Sequence, residues 1–121
     1  MVILFLKLLF PSMTYAKHLK PERAYQEQWC SEAQGVTEYL LPDRTRVDCL
    51  TSTHAIEFDF AAKWAEAIGQ SLYYGSCTDK TPGVVLILEY PSDKRYLDRL
   101  QPIATQHGIT LWIIQAYPAN P

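Results

Sequence analysis

The chain has 121 residues, 48% of them hydrophobic and 20% charged, which bounds it to one globular domain with a single modest core. Its formal net charge of −2 supplies no basic footprint and argues against tight non-specific nucleic-acid binding by the protein's own charge. An enzyme that offsets its own acids with metal ions and meets phosphate locally stays open.

Val2 to Phe10 are apolar apart from Lys7, and Pro11, Ser12 and the small-residue ending Thr14-Tyr15-Ala16 follow. Residues 1–16 therefore read as a secretory signal peptide cleaved after Ala16, leaving residues 17–121 as one domain in the periplasm or outside the cell. Translation from Met13 would instead leave a cytoplasmic protein. The apolar run is too short for a stable membrane span.

Of the three cysteines, Cys30 and Cys49 are the favoured disulfide pair if the chain is exported, because a helix end and a core strand can meet while Cys77 falls in an expected loop. In a reducing compartment both would be small buried apolar residues. Their spacing matches no zinc signature.

Pro21 is expected as the first residue of a helix running to about Cys30, with Glu22, Tyr25, Gln26 and Trp29 on one face. Strands follow over 37–41, 45–50 and 54–58, the first two joined by the turn chemistry of Pro42-Asp43-Arg44. A helix is expected over 61–74, a loop over 75–83, and a strand covered on both faces over 84–89. A helix over 93–107, with Pro102 a candidate kink, and a last strand over 110–116 complete the chain, and the Pro-rich tail from Tyr117 reads as loose. The order is αβββαβαβ: an α/β domain with a mixed central sheet flanked by helices.

Chemistry concentrates between Arg46 and Tyr74. Asp48 sits mid-strand between apolar neighbours, and Glu57 and Asp59, two apart on the next strand, leave it on the same face. Ionised acids on a half-buried sheet need a partner or a metal, and converging carboxylates suit Mg²⁺ or Mn²⁺. Lys63, Gln70 and Tyr74 share a stripe of the following helix.

Asp48, Glu57, Lys63 and the run Gln70-Ser71-Leu72-Tyr73-Tyr74, in this order of elements, resemble the PD-(D/E)XK, or restriction-endonuclease-like, nuclease superfamily over about residues 22–88. Asp48 and Glu57 match its two acids, and Gln70 with Tyr74 matches the QxxxY helix of RecB-like members. The motif lysine is replaced by Asp59, and Lys63 on the following helix is the residue placed to act for it. The resemblance implies a restriction-endonuclease-like core that hydrolyses DNA phosphodiester bonds with Mg²⁺ or Mn²⁺. Asp48 and Glu57 would hold the ion, with an acid from the first helix that maps to Glu22, or alternatively to Glu27. Lys63 would act on water and phosphate, while Gln70 and Tyr74 would position the site or contact the DNA backbone. The alternative is a non-catalytic binding module of the same fold, in which the displaced lysine marks lost chemistry.

Plainer roles stand beside these. Asp48 and Glu57 could be ion pairs with Arg44, Arg46 or Lys63, and Asp59 could cap the following helix. Lys63 and Gln70 could be solvated helix residues. Trp29, Trp64 and Tyr73 are expected in the core, and His54 as a structural histidine.

Overall fold

The computed structural model describes residues 18–119, so the expected signal peptide lies outside the described residues. The elements are α1 (Glu22–Glu32), β1 (Val36–Leu40), β2 (Arg46–Leu50), β3 (His54–Phe60), α2 (Trp64–Thr78), β4 (Thr81–Leu88), α3 (Lys94–Gln106) and β5 (Thr110–Gln115). Short 3₁₀ turns, Ala61–Lys63 and Pro91–Asp93, lead into α2 and α3. The order is the αβββαβαβ read from the sequence, and the class is α/β.

All five strands form one mixed sheet in the order β1-β2-β3-β4-β5. The first three are an antiparallel meander, and β3, β4 and β5 are parallel. Parallel neighbours need crossovers, which run right-handed, so α2 and α3 fall on the same face of the sheet. There Ala67, Leu100 and Ala104 pack on Val84, Leu86 and Leu88. On the other face α1 supplies Cys30 and Trp29 against Cys49, Ile56, Phe58 and Val85. Strand β4, between β3 and β5 and covered on both faces, is buried from Gly83 to Leu88, as its unbroken apolar run predicts.

Several boundaries differ from the expectation for identifiable reasons. Pro21 has extended backbone (φ −61°, ψ 147°) and is the cap before α1, not its first residue. The expected loop over 75–83 shrinks to Asp79-Lys80. Gly75 does not break α2; its missing side chain instead lets the chain pass close by, since a Cβ there would lie 3.1 Å from the Lys80 carbonyl oxygen and from Pro82. The helix stops at Asp79, which turns left-handed at φ 56°. β4 then starts early by pairing Thr81 with His54 and Pro82 with Ala55. Pro82 precedes the first β4–β5 pair, Gly83 with Thr110, so its missing donor breaks no ladder bond there. α3 runs unbroken through Pro102, which is exposed, so water can satisfy the carbonyl that the proline leaves unbonded.

Tyr117 packs against the α2–α3 cluster and Ala116 donates its N–H to the Leu88 carbonyl at 2.8 Å, so the tail is held at least this far. Tyr73 is 47% exposed and not core, because Ala67, Ser71 and Tyr74 set the inward face of α2; its hydroxyl donates to Asp43. His54 is structural: its ring nitrogens meet Thr53 and Thr110 and its edge lies on Trp112. No described helix is long and apolar enough to cross a membrane.

Cys30 and Cys49 are joined in a disulfide with Cα atoms 5.8 Å apart, tying α1 to β2, while Cys77 is a free exposed thiol. Gly35 makes room for the bridge: a Cβ there would lie 2.6 Å from the Cys49 sulfur and 2.8 Å from that of Cys30. Thiol titration of the folded protein should find Cys77 alone. Reduction should cost about 3 kcal/mol, the usual value for a loop of this length. Gly35→Ala should lower the Tm of the oxidised protein and do less harm once the bridge is reduced; equal melting of variant and parent would contradict the packing around the sulfurs.

Candidate active site

The site forms where β2 and β3 part. Their Cα register is Cys49 with Ile56 and Leu50 with Ala55, and the paired segment goes no further. Beyond it, side chains take the place of main-chain acceptors: the Phe58 N–H donates to Asp48 Oδ2 at 2.8 Å and the Asp48 N–H reaches Glu57 Oε1 at 3.4 Å. The distortion extends into β1, where Glu38 has φ 52° and its pairing with Asp48 is skipped. Although only two residues apart, Val47 packs with Ala55 and Tyr74 whereas Cys49 packs with Ile56 and Phe58, so strand alternation breaks at Asp48. Gln26 of α1, buried, braces this point by donating to both the Asp48 carbonyl and Glu38 Oε2 at 2.8 Å.

On the undistorted strand β3 the alternation holds. Glu57 and Asp59 pair with Val84 and Leu86 and share their face, toward α2, and both acids are buried. Glu22, half-buried in the first turn of α1, comes within electrostatic reach of Asp48 and Asp59, as does Lys63 of Glu22 and Asp59. The structure thus gathers Glu22, Asp48, Glu57, Asp59 and Lys63 at one seam. Tyr74 borders it: buried on α2 among Leu41, Val47 and Ala55, it lies within electrostatic reach of Glu57 and Asp48. Gln70 lies half-buried on the same helix stripe and makes no side-chain hydrogen bond within the described residues. Glu27 is exposed, pairs with Arg23 at 3.9 Å and is not among the charges that reach the seam acids.

Burial raises the carboxyl pKa throughout this cluster. Glu22 rises to about 7, through burial first and then the charge of Asp48, with Lys63 pulling the other way. Asp59 rises to about 7 through burial and the charges of Glu22, Glu66 and Asp48. Asp48 and Glu57 share a hydrogen bond, and burial raises both. Glu57 rises much the further because it faces the charge of Asp48, while Asp48 is helped by the Phe58 N–H. The two carboxyls titrate as one pair, and burial with their mutual charge makes that pair hold a proton more firmly than an isolated acid would.

The plainer roles do not describe these acids. Among the described residues neither Asp48 nor Glu57 forms an ion pair with a basic side chain. The 3₁₀ turn after β3 has Phe60 at its N-cap position without a side-chain cap, so Asp59 caps nothing. Its Oδ2 is buried without a hydrogen-bond partner. Glu89 is the contrast. Burial opposes its ionisation too, but His18, Tyr25 and the Leu19 N–H hydrogen-bond its carboxylate and bring its pKa below the usual range.

The donor set at the seam is oxygen only, which suits Mg²⁺ or Mn²⁺, and the bare Asp59 oxygen fits a cation. Among the described residues no three His, Cys, Asp or Glu side chains converge as a ready-made cage. Mg²⁺ does not require one, since one or two carboxylates with waters and substrate phosphate suffice.

Sequence reasoning missed Glu38, Glu66 and the brace Gln26. Glu66 could have been found, because it lies between Lys63 and Gln70 on their helical stripe. Glu38 could not, because its place depends on a left-handed residue inside a strand. Comparison with protein-family models, with curated proteins and with solved structures found no match.

These shifts set the pH dependence of the metal-free protein. A carboxyl with a raised folded pKa keeps its proton in the folded state where the unfolded chain has already released it. Folding therefore loses stability as pH rises from the ordinary value, 3.8 for Asp59 and 4.5 for Glu22, to about 7, and the full penalty applies above that. Glu89, shifted down, has its whole contribution in place above the ordinary value of 4.5 and so adds no slope between about pH 5 and pH 8. In chelator the protein should be less stable at about pH 8 than at about pH 5, by on the order of 2–4 kcal/mol, with half-exposed Glu22 contributing little of it. Denaturant melts at the two pH values measure this, and a flat or rising profile would refute it.

Proposed function

We propose that the chain is a small divalent-metal-dependent nuclease that hydrolyses DNA phosphodiester bonds on a restriction-endonuclease-like core. One observation carries the reading. Glu22, Asp48, Glu57 and Asp59 are desolvated together at the seam of β2 and β3, with Lys63 as the nearby cation. The order of elements, the mixed sheet and the match of Gln70 and Tyr74 to the QxxxY helix support it.

Asp48 and Glu57 would hold Mg²⁺ or Mn²⁺, with Glu22 reaching in from α1. A bound ion would acidify the attacking water and supply positive charge to the scissile phosphate. Lys63, on the turn after β3, would orient that water or meet the phosphate as a point charge. Tyr74 packs with Val47 of β2 and Ala55 of β3 and so holds α2, with Gln70 on it, beside the acids. The cluster repels a polyanion until the ion neutralises it, so DNA binding and metal binding should go together. The Cys30–Cys49 bridge, with the leader-like sequence, supports a periplasmic or secreted location.

The second reading is a non-catalytic binding module on the same fold. Lys63 favours it, being exposed and in no ion pair with the acids, while the strand position of the motif lysine carries Asp59.

A plasmid-nicking assay with Mg²⁺ or Mn²⁺, against a chelator control, decides between them. The parent should nick. Glu57→Gln should weaken metal binding and be partly rescued by excess Mn²⁺, whereas Lys63→Ala should keep the metal and lose on the order of 100- to 1000-fold in rate. A Lys63→Ala variant as fast as the parent would remove that residue from the mechanism. A parent that binds metal and DNA but never cuts would establish the binding module.

A further inference from the structure

Among the buried acids whose partners are described, Asp59 stands apart. Glu57 and Asp48 satisfy each other and the Phe58 N–H, and Glu89 has three donors. Asp59 is 7% exposed, and its Oδ2 has no hydrogen-bond partner. A buried carboxylate oxygen with no donor is costly, and a strand residue two positions along could have been apolar at no loss to the sheet. No capping role accounts for it. The charges that reach it are Glu22 from α1, Glu66 from α2 and Asp48 from β2, with Lys63 as the one opposing cation. An orphaned oxygen under facing carboxylates on both helices calls for a hard cation with a charge above one, completed by water.

We propose that Asp59, through Oδ2, is a direct ligand of the divalent cation, with Glu22 as the carboxylate facing it from α1. The inference deepens the nuclease reading and rests on it for its use in catalysis. It gives Asp59 a positive function at the place where the resembling motif carries lysine: an acid there adds a metal ligand, and the ammonium group is supplied instead from Lys63, one turn into the following segment.

The test needs no nucleic acid. Mn²⁺ is titrated into chelator-treated full chain and free Mn²⁺ is read by its paramagnetic resonance signal, alongside Tm with and without the ion. The parent should bind Mn²⁺ and melt higher with it. Asp59→Asn, nearly isosteric, should bind at least about tenfold more weakly and lose the Mn²⁺-induced rise in Tm. Its metal-free form should melt at or above the parent, because a buried unpaired charge has been removed; a purely structural aspartate would give the opposite. Glu22→Gln, at a half-buried position, should also weaken binding and covers the case of a misfolded Asp59→Asn. Parent-like Mn²⁺ affinity in both variants overturns the proposal, as does a parent that binds no Mn²⁺. If the parent binds Mn²⁺ through Asp59 yet cuts no DNA, the ligand assignment stands and the nuclease reading falls. Cleavage with parent-like binding in Asp59→Asn gives the reverse.

Discussion

The parting of β2 from β3 is the constraint on which the rest of the site depends. Antiparallel neighbours ordinarily bond main chain to main chain, but here the Asp48 and Glu57 carboxyls take the Asp48 and Phe58 N–H groups. That substitution costs two strands their ladder, and it is sustained because the disulfide and Gln26 pin β2 to α1 from the other face. The opening in turn gives Glu22 and Lys63, from opposite layers of the domain, access to the same carboxylates.

Electrostatically the seam is held at a cost. Four carboxyls are buried or half-buried near one another with a single exposed lysine to oppose them, and their raised pKa values measure the repulsion and lost hydration together. Glu89, in the same fold and also little exposed, has three hydrogen bonds and the opposite shift. The domain can therefore satisfy a buried acid, which makes the under-satisfied cluster a feature of that place and not of the scaffold. Clustered, strongly perturbed acids of this kind are characteristic of functional sites.

The scaffold around the seam is conventional by comparison. β4 is covered on both faces, the two right-handed crossovers stack α2 and α3 on one side, and α1 closes the other. The large aromatic contacts, Trp29 on Phe58 and Trp112, lie on the α1 face, away from Glu57 and Asp59. Ile56 and Phe58 leave β3 on the face opposite Glu57 and Asp59, so the acids do not interrupt the apolar cluster under α1.

The sequence by itself determined the order of the elements, the sidedness of β3 and the Cys30–Cys49 pairing conditional on export, because each follows from local periodicity or from which segments can meet. It placed Glu57 with Asp59, since period two allows nothing else, and Glu22 on the inward side of α1. Tertiary structure decided what local rules cannot reach. Gly75 reads as a breaker until the close pass of Pro82 explains it, and Tyr73 reads as core until its neighbours on α2 claim the inward face. Asp59 reads as a helix cap until the turn after β3 leaves its oxygen unbonded. The sequence marks Asp48 as an acid out of place but gives Glu38 and Asp48 regular strand backbone; the left-handed turn at Glu38 and the break in alternation at Asp48 come with the bonds that Gln26 makes to both from α1, a contact no local rule reaches.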